Sequence, residues 1–139
     1  GASLRVLLVE DDPLNQVFAE EYLREAGHQV TLASNGLAAI QALSRERYDL
    51  VLMDISMPEM DGIEATSRIR AASMDGPLDP RVPIIALTAH ALKGDRERFL
   101  RAGMDGYVSK PLDVDELTRV IRLVFQEREL ARQDPDSPK

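Results

Sequence analysis

Five short apolar runs punctuate the chain, at residues 5–9, 29–33, 50–54, 84–88 and 106–109. Each is rich in Val, Ile or Leu or bounded by turn-forming residues, and each is too short for a helix, so each predicts a β-strand. Between and after them, apolar residues recur at three- and four-residue spacing over 13–26, 36–44, 62–72, 93–102 and 114–127, which predicts five helices. Strand and helix therefore alternate throughout. Runs such as Val6-Leu7-Leu8-Val9 and Ile84-Ile85-Ala86-Leu87 show no polar alternation, as expected of strands covered on both faces. A doubly wound α/β domain follows, with a parallel sheet between two layers of helices. Some boundaries carry physical punctuation. Asp12-Pro13 offers an N-cap with proline at the first helical position, and Gly27 and Gly103 suit left-handed helix ends. Gly94 makes a poor start for the fourth helix, which is expected to be short.

Two segments lack periodicity. Residues 73–81 hold two prolines and a glycine and read as a long, mobile loop; residues 128–139 are too polar to order themselves and read as a flexible tail or linker. The folded domain is thus expected over 4–127, with Gly1-Ala2-Ser3 an expression remnant. At 139 residues and 44% hydrophobic composition, one core is the expectation. A net charge of −7 argues against nucleic acid as a direct partner, since phosphate backbones are bound by clustered Lys and Arg. The absence of cysteine excludes disulfides, zinc thiolates and thiol catalysis, and points to the cytoplasm. No apolar run is long enough to span a bilayer and the start lacks signal-peptide features, so no membrane contact by this domain is expected.

In open parallel sheets, functional groups gather beyond the carboxyl ends of the strands. Here those ends are Glu10-Asp11-Asp12, Ser34-Asn35, Asp54, Thr88 and Ser109-Lys110. The commonest order for five such strands, the flavodoxin-like 2-1-3-4-5, makes the first and third neighbours and brings Asp11, Asp12 and Asp54 into one pocket. Two like charges about 4 Å apart repel by roughly 4 kcal/mol at an effective dielectric near 20, so the cluster calls for a cation or shifted pKa values. Magnesium, held by one or two carboxylates plus a phosphate oxygen, fits this chemistry, with manganese as a second choice. Thr88 and Lys110 add a hydroxyl and an ammonium suited to phosphoryl oxygens. The site reads as an Asp54 nucleophile between a metal and these two groups.

Four ordered motifs now carry a resemblance: Val9-Glu10-Asp11-Asp12, the stretch from Leu52 to Gly62 around Asp54, Ala86-Leu87-Thr88-Ala89, and Gly106-Tyr107-Val108-Ser109-Lys110-Pro111. Over roughly residues 4–127 the chain resembles the receiver domains of two-component signalling. The resemblance implies Asp54 as phosphoacceptor, Asp11 and Asp12 as metal-side carboxylates, and the Ser56 backbone carbonyl as a further ligand. It implies Thr88 and Lys110 as phosphoryl-binding groups, Tyr107 as an aromatic switch, and a cis Lys110-Pro111 bond. Asp12-Pro13-Leu14-Asn15-Gln16 and Leu87-Thr88-Ala89-His90-Ala91-Leu92 resemble, more narrowly, receivers of hybrid sensor histidine kinases. That implies a phosphohistidine donor in a kinase or a histidine-phosphotransfer protein, and a phosphorelay role. The isolated domain would assist its own phosphorylation and dephosphorylation, while its parent would be a histidine kinase that is itself membrane-bound.

Two alternatives stay open: a stand-alone response regulator, and a receiver that acts as an interaction module without phosphorylation. A nucleotide or flavin module is disfavoured because Glu10-Asp11-Asp12 stands where a phosphate cradle would need free N–H groups. A dehalogenase-type phosphohydrolase would place a carboxylate where Ser56 stands. Ser56 and His90 are candidate modulators of phosphoryl lifetime at the pocket rim. On the first helix, Leu14, Val17 and Phe18 fall beside the face carrying Ala19 and Leu23. They either complete the core or form a docking patch for the phosphotransfer partner.

Overall fold

A computed structural model describes residues 3–89 and 94–133, so His90 and its proposed modulator role lie outside the described residues. The described residues form strands β1 (Arg5–Val9), β2 (Gln29–Ala33), β3 (Leu50–Asp54), β4 (Ile84–Thr88) and β5 (Gly106–Ser109). They alternate with helices α1 (Pro13–Glu25), α2 (Gly36–Arg45), α3 (Gly62–Arg70), α4 (Asp95–Ala102) and α5 (Val114–Gln133). The sheet is parallel in the order β2-β1-β3-β4-β5, as the sequence leads one to expect.

Alternate residues of the strands enter two separate cores. Leu7, Val9, Val51, Met53, Ile84 and Ala86 pack with Ala39 and Leu43 of α2, Ala65 and Ile69 of α3 and Phe99 of α4. Val6, Leu8, Leu50, Leu52, Ile85 and Leu87 pack on the other face with Ala19 and Leu23 of α1 and Leu117 and Val124 of α5. Both faces of β1, β3 and β4 are thus withdrawn from water, which is why their sequences read as unbroken apolar runs. Burial of each such Leu or Ile contributes about 1.5–3 kcal/mol.

Helix ends follow local chemistry. Asp12, Asn35 and Asp61 cap α1, α2 and α3 by accepting the N–H groups of Leu14, Ala38 and Glu64. The helix α4 is indeed short: it starts after Gly94, which offers no side-chain cap. One expectation is corrected. The last helix does not stop at Glu127 but continues to Gln133, and Arg128 donates to both carboxylate oxygens of Asp105 at 3.0 Å. The added turns carry polar contacts rather than apolar burial, with Gln133 donating to Glu129 at 3.0 Å beyond the Arg128 pair. The loop 73–81 is extended, and its own Leu78, with Val82 just beyond it, is buried. Arg70 clamps its far end, donating to the carbonyls of Pro80 (2.8 Å), Val82 (2.7 Å) and Gly103 (2.8 Å) and pairing with Asp105 at 3.0 Å.

At the opposite end of the sheet from the acidic residues, His28 Nδ1 accepts the N–H of Leu4 at 3.1 Å. That bond needs an unprotonated Nδ1, and burial holds the imidazole pKa below its ordinary 6.5. Because the folded pKa lies below the unfolded one, the stabilisation is complete above about pH 6.5 and is lost as the pH falls through the folded value. In His28→Asn the amide oxygen keeps an acceptor without titrating. Chemical denaturation from pH 7.5 down to 5 is expected to show the parent losing stability relative to this variant; parallel curves would exclude His28 as the cause.

Candidate functional site

The carboxyl edge of β1, β3, β4 and β5 assembles the acidic pocket. Lys110 follows β5, and its backbone N–H is fixed by the Thr88 carbonyl at 2.8 Å, so its side chain is delivered from a rigid edge. Its Nζ lies 3.0 Å from Asp54 Oδ1 and 3.1 Å from Glu10 Oε1. Asp54 and Glu10 are 2% and 1% exposed, so this one ammonium is shared between two carboxylates held out of water and offsets only part of their charge. Asp54 Oδ1 also accepts the N–H of Ser56 at 3.1 Å.

Glu10, Asp11 and Asp54 each offer a carboxylate oxygen, and these oxygens lie within 4.8 Å of one another. Burial, above all, raises the Glu10 pKa to about 7, and the neighbouring Asp54 adds to the rise while Lys110 opposes it. For Lys110, burial acts to lower the pKa, but hydrogen bonds and charge from Asp54 and Glu10 outweigh it, and the net shift is upward. A cluster of converging, partly frustrated carboxylates is a donor set for a hard cation, whose charge would relieve the repulsion.

Asp12 stands outside this cluster: its Oδ1 accepts the Leu14 N–H at 2.9 Å and its Oδ2 faces the Asn15 amide at 3.5 Å. The carboxylate thus caps α1, while Glu10 stands in the cluster beside Asp11 and Asp54. The signal was present in Asp12-Pro13, a cap signature that points the side chain back at the helix. Thr88 is 7% exposed at the end of β4, with its Cα paired to Ser109 across the sheet. Tyr107 is half-buried, its ring 6.0 Å from that of Phe99, and the Lys110-Pro111 bond is cis.

The loop between β3 and α3 is built close against Asp54. The N–H of Met60 reaches the Pro58 carbonyl at 2.8 Å across Glu59, a γ-turn that holds Glu59 at a φ of 68°. Gly62 N–H then returns to the Ile55 carbonyl at 3.1 Å, and any Cβ on Gly62 would overlap the carbonyl oxygen of Asp54. On α1, Leu14, Val17 and Phe18 are 63%, 61% and 53% exposed, so these residues do not complete the core.

The response regulator receiver domain model matches residues 6–122. The chain belongs to that family. The receiver is similar to the receiver domain of sensor histidine kinase PA1611 from Pseudomonas aeruginosa PAO1, with 47% identity over 89% of this chain and 99% of that one, at a TM-score of 0.76. That structure holds a magnesium ion coordinated in its active-site cleft. The receiver is also 41% identical over 117 residues to the sensor protein GacS of Pseudomonas syringae pv. syringae, matching 84% of this chain and 13% of GacS. With the aerobic respiration control sensor protein ArcB of Escherichia coli K12 it shares 42% identity over 120 residues, 86% of this chain and 15% of ArcB. It thus spans about one seventh of these curated relatives. Among the described residues, no helix is long and apolar enough to cross a membrane.

Proposed function

We propose that this receiver takes a phosphoryl group from a phosphohistidine onto Asp54, as one step of a phosphorelay in a hybrid histidine kinase. The observation that carries the reading is the Glu10–Asp11–Asp54 cluster with Lys110 across it, at the carboxyl ends of neighbouring strands. In the reaction an Asp54 carboxylate oxygen attacks phosphorus. The new O–P bond makes an acyl phosphate, the N–P bond breaks, and the donor imidazole leaves with the electron pair. Lys110, already on Asp54 Oδ1, offers charge to the phosphoryl oxygens, and Thr88 supplies a hydroxyl from the neighbouring strand. Glu10, Asp11, Asp54 and the Ser56 carbonyl would hold magnesium, or manganese in its place; the ion would offset phosphoryl charge during transfer. Tyr107 follows Thr88 as the switch, and we place the domain in the cytoplasm. Incubation with a small acyl phosphate and magnesium should add one phosphoryl mass to the protein and none to Asp54→Asn. A parent chain that reacts with neither a small donor nor a phosphohistidine protein would sink this reading.

The partner we propose is a phosphohistidine-bearing helix, seated on exposed Leu14, Val17 and Phe18. These side chains lie on the first turns of α1, whose cap adjoins the acidic pocket, so a helix packed there brings its histidine toward Asp54. Leu14→Asp with Val17→Asp should slow transfer from the phosphohistidine protein by at least tenfold while leaving reaction with a small donor within twofold. Equal transfer by the folded double variant would remove the patch from the account.

A further inference from the structure

We infer that Gln16 is a positioning residue for the acidic site, a role that rests on reading Glu10, Asp11 and Asp54 as a cation site. It projects from the second turn of α1 and donates its amide to the backbone carbonyl of Glu10 at 2.6 Å, with Ser34 Oγ at 3.4 Å from the same nitrogen. The ladder of β1 ends at Val9, so the backbone of Glu10 has left the regular sheet. Its N–H is taken by the Ala33 carbonyl of β2 at 3.0 Å, and its carbonyl by Gln16. Two residues on, Asp12 is tied to the same helix by its cap to Leu14 and by its carbonyl, which accepts the Gln16 N–H at 3.0 Å. The acidic segment is thereby bracketed at both ends by α1, with Asp11 between the fixed points.

This bracket sets where the Glu10 and Asp11 carboxylates stand relative to Asp54. Without the amide, the carbonyl of a residue that is 1% exposed loses its donor, and the segment keeps one fewer of the ties that set its course. Groups that orient metal ligands in this way typically account for 10–100-fold in metal affinity. Gln16 itself touches no carboxylate oxygen of the cluster; it acts through the backbone.

Gln16→Met preserves length and helix propensity but cannot donate, and Gln16→Glu sets an acceptor against the carbonyl. Titration calorimetry with magnesium should show about tenfold weaker binding for Gln16→Met and a larger loss for Gln16→Glu. In the metal-free proteins, amide hydrogen exchange should accelerate at Glu10, whose N–H is held by the Ala33 carbonyl, while β3 and β4 keep their protection. A purely structural role would instead raise exchange across the whole sheet. Ser34→Ala, which removes only the longer contact, should bind magnesium within twofold of the parent. If a folded Gln16→Met or Gln16→Glu binds magnesium within twofold of the parent, the bracket is refuted while the cation site stands. If the parent itself binds no magnesium, the site reading fails instead.

Discussion

Lys110→Met is expected to slow phosphorylation of Asp54 by a small acyl phosphate about 10²-fold, a loss that saturating magnesium does not restore. Lys110 is the cation held at 3.0–3.1 Å from both Asp54 and Glu10, and it is anchored through its own backbone to the Thr88 carbonyl. It thus meets phosphoryl charge with a group already in place, and little reorganisation is needed when transfer begins. Methionine keeps the stem and removes only the charge and the donors. Stopped or quenched time courses read by intact mass would measure the effect; a rate within threefold of the parent would take Lys110 out of the transfer step.

Gly62→Ala is the second large effect, and it is felt first in the backbone. A single methyl at this position overlaps the Asp54 carbonyl oxygen and comes within 3.0 Å of Met53 Cγ, with no exposed route for relief because Gly62 is buried. Overpacking against backbone costs about 3 kcal/mol, which for a domain of this size lowers the melting temperature by roughly 10 °C. Since the displaced atom belongs to the proposed nucleophile's own residue, residual phosphorylation should fall as well. Gly76→Ala serves as the control, because its Cβ would sit at an ordinary 3.5 Å from the Ser73 carbonyl. It should leave melting within about 2 °C of the parent. Equal melting temperatures for the two variants would show that the loop after β3 is not fixed as described.

How far the sequence could be read depended on whether the determinant was local. The strand runs were legible to the residue, because Val6-Leu7-Leu8-Val9 and Ile84-Ile85-Ala86-Leu87 supply both buried faces and cannot be exchanged for helix. The convergence of Asp54 with the first strand's end followed from strand order alone. The division of labour within Glu10-Asp11-Asp12 was half legible, since Asp12-Pro13 marks a cap while nothing local says which way Glu10 turns as the backbone leaves the sheet. A cap bond to Leu14 decides it, giving Asp12 to the helix and Glu10 to the pocket. Most obscure was the clamp of Arg70, Asp105 and Arg128, whose members lie up to 58 positions apart and join only through the folded sheet. Equally hidden were six further residues of α5, which begin at Arg128 and lie in a segment whose composition reads as solvated.

The proposed nucleophile can be located directly. After phosphorylation with a small acyl phosphate and magnesium, borohydride reduction converts an aspartyl phosphate to homoserine, and peptide sequencing then reports its position. Homoserine is expected at residue 54 alone. Homoserine at Asp11 or Asp12, or a modified peptide that excludes Asp54, would contradict it.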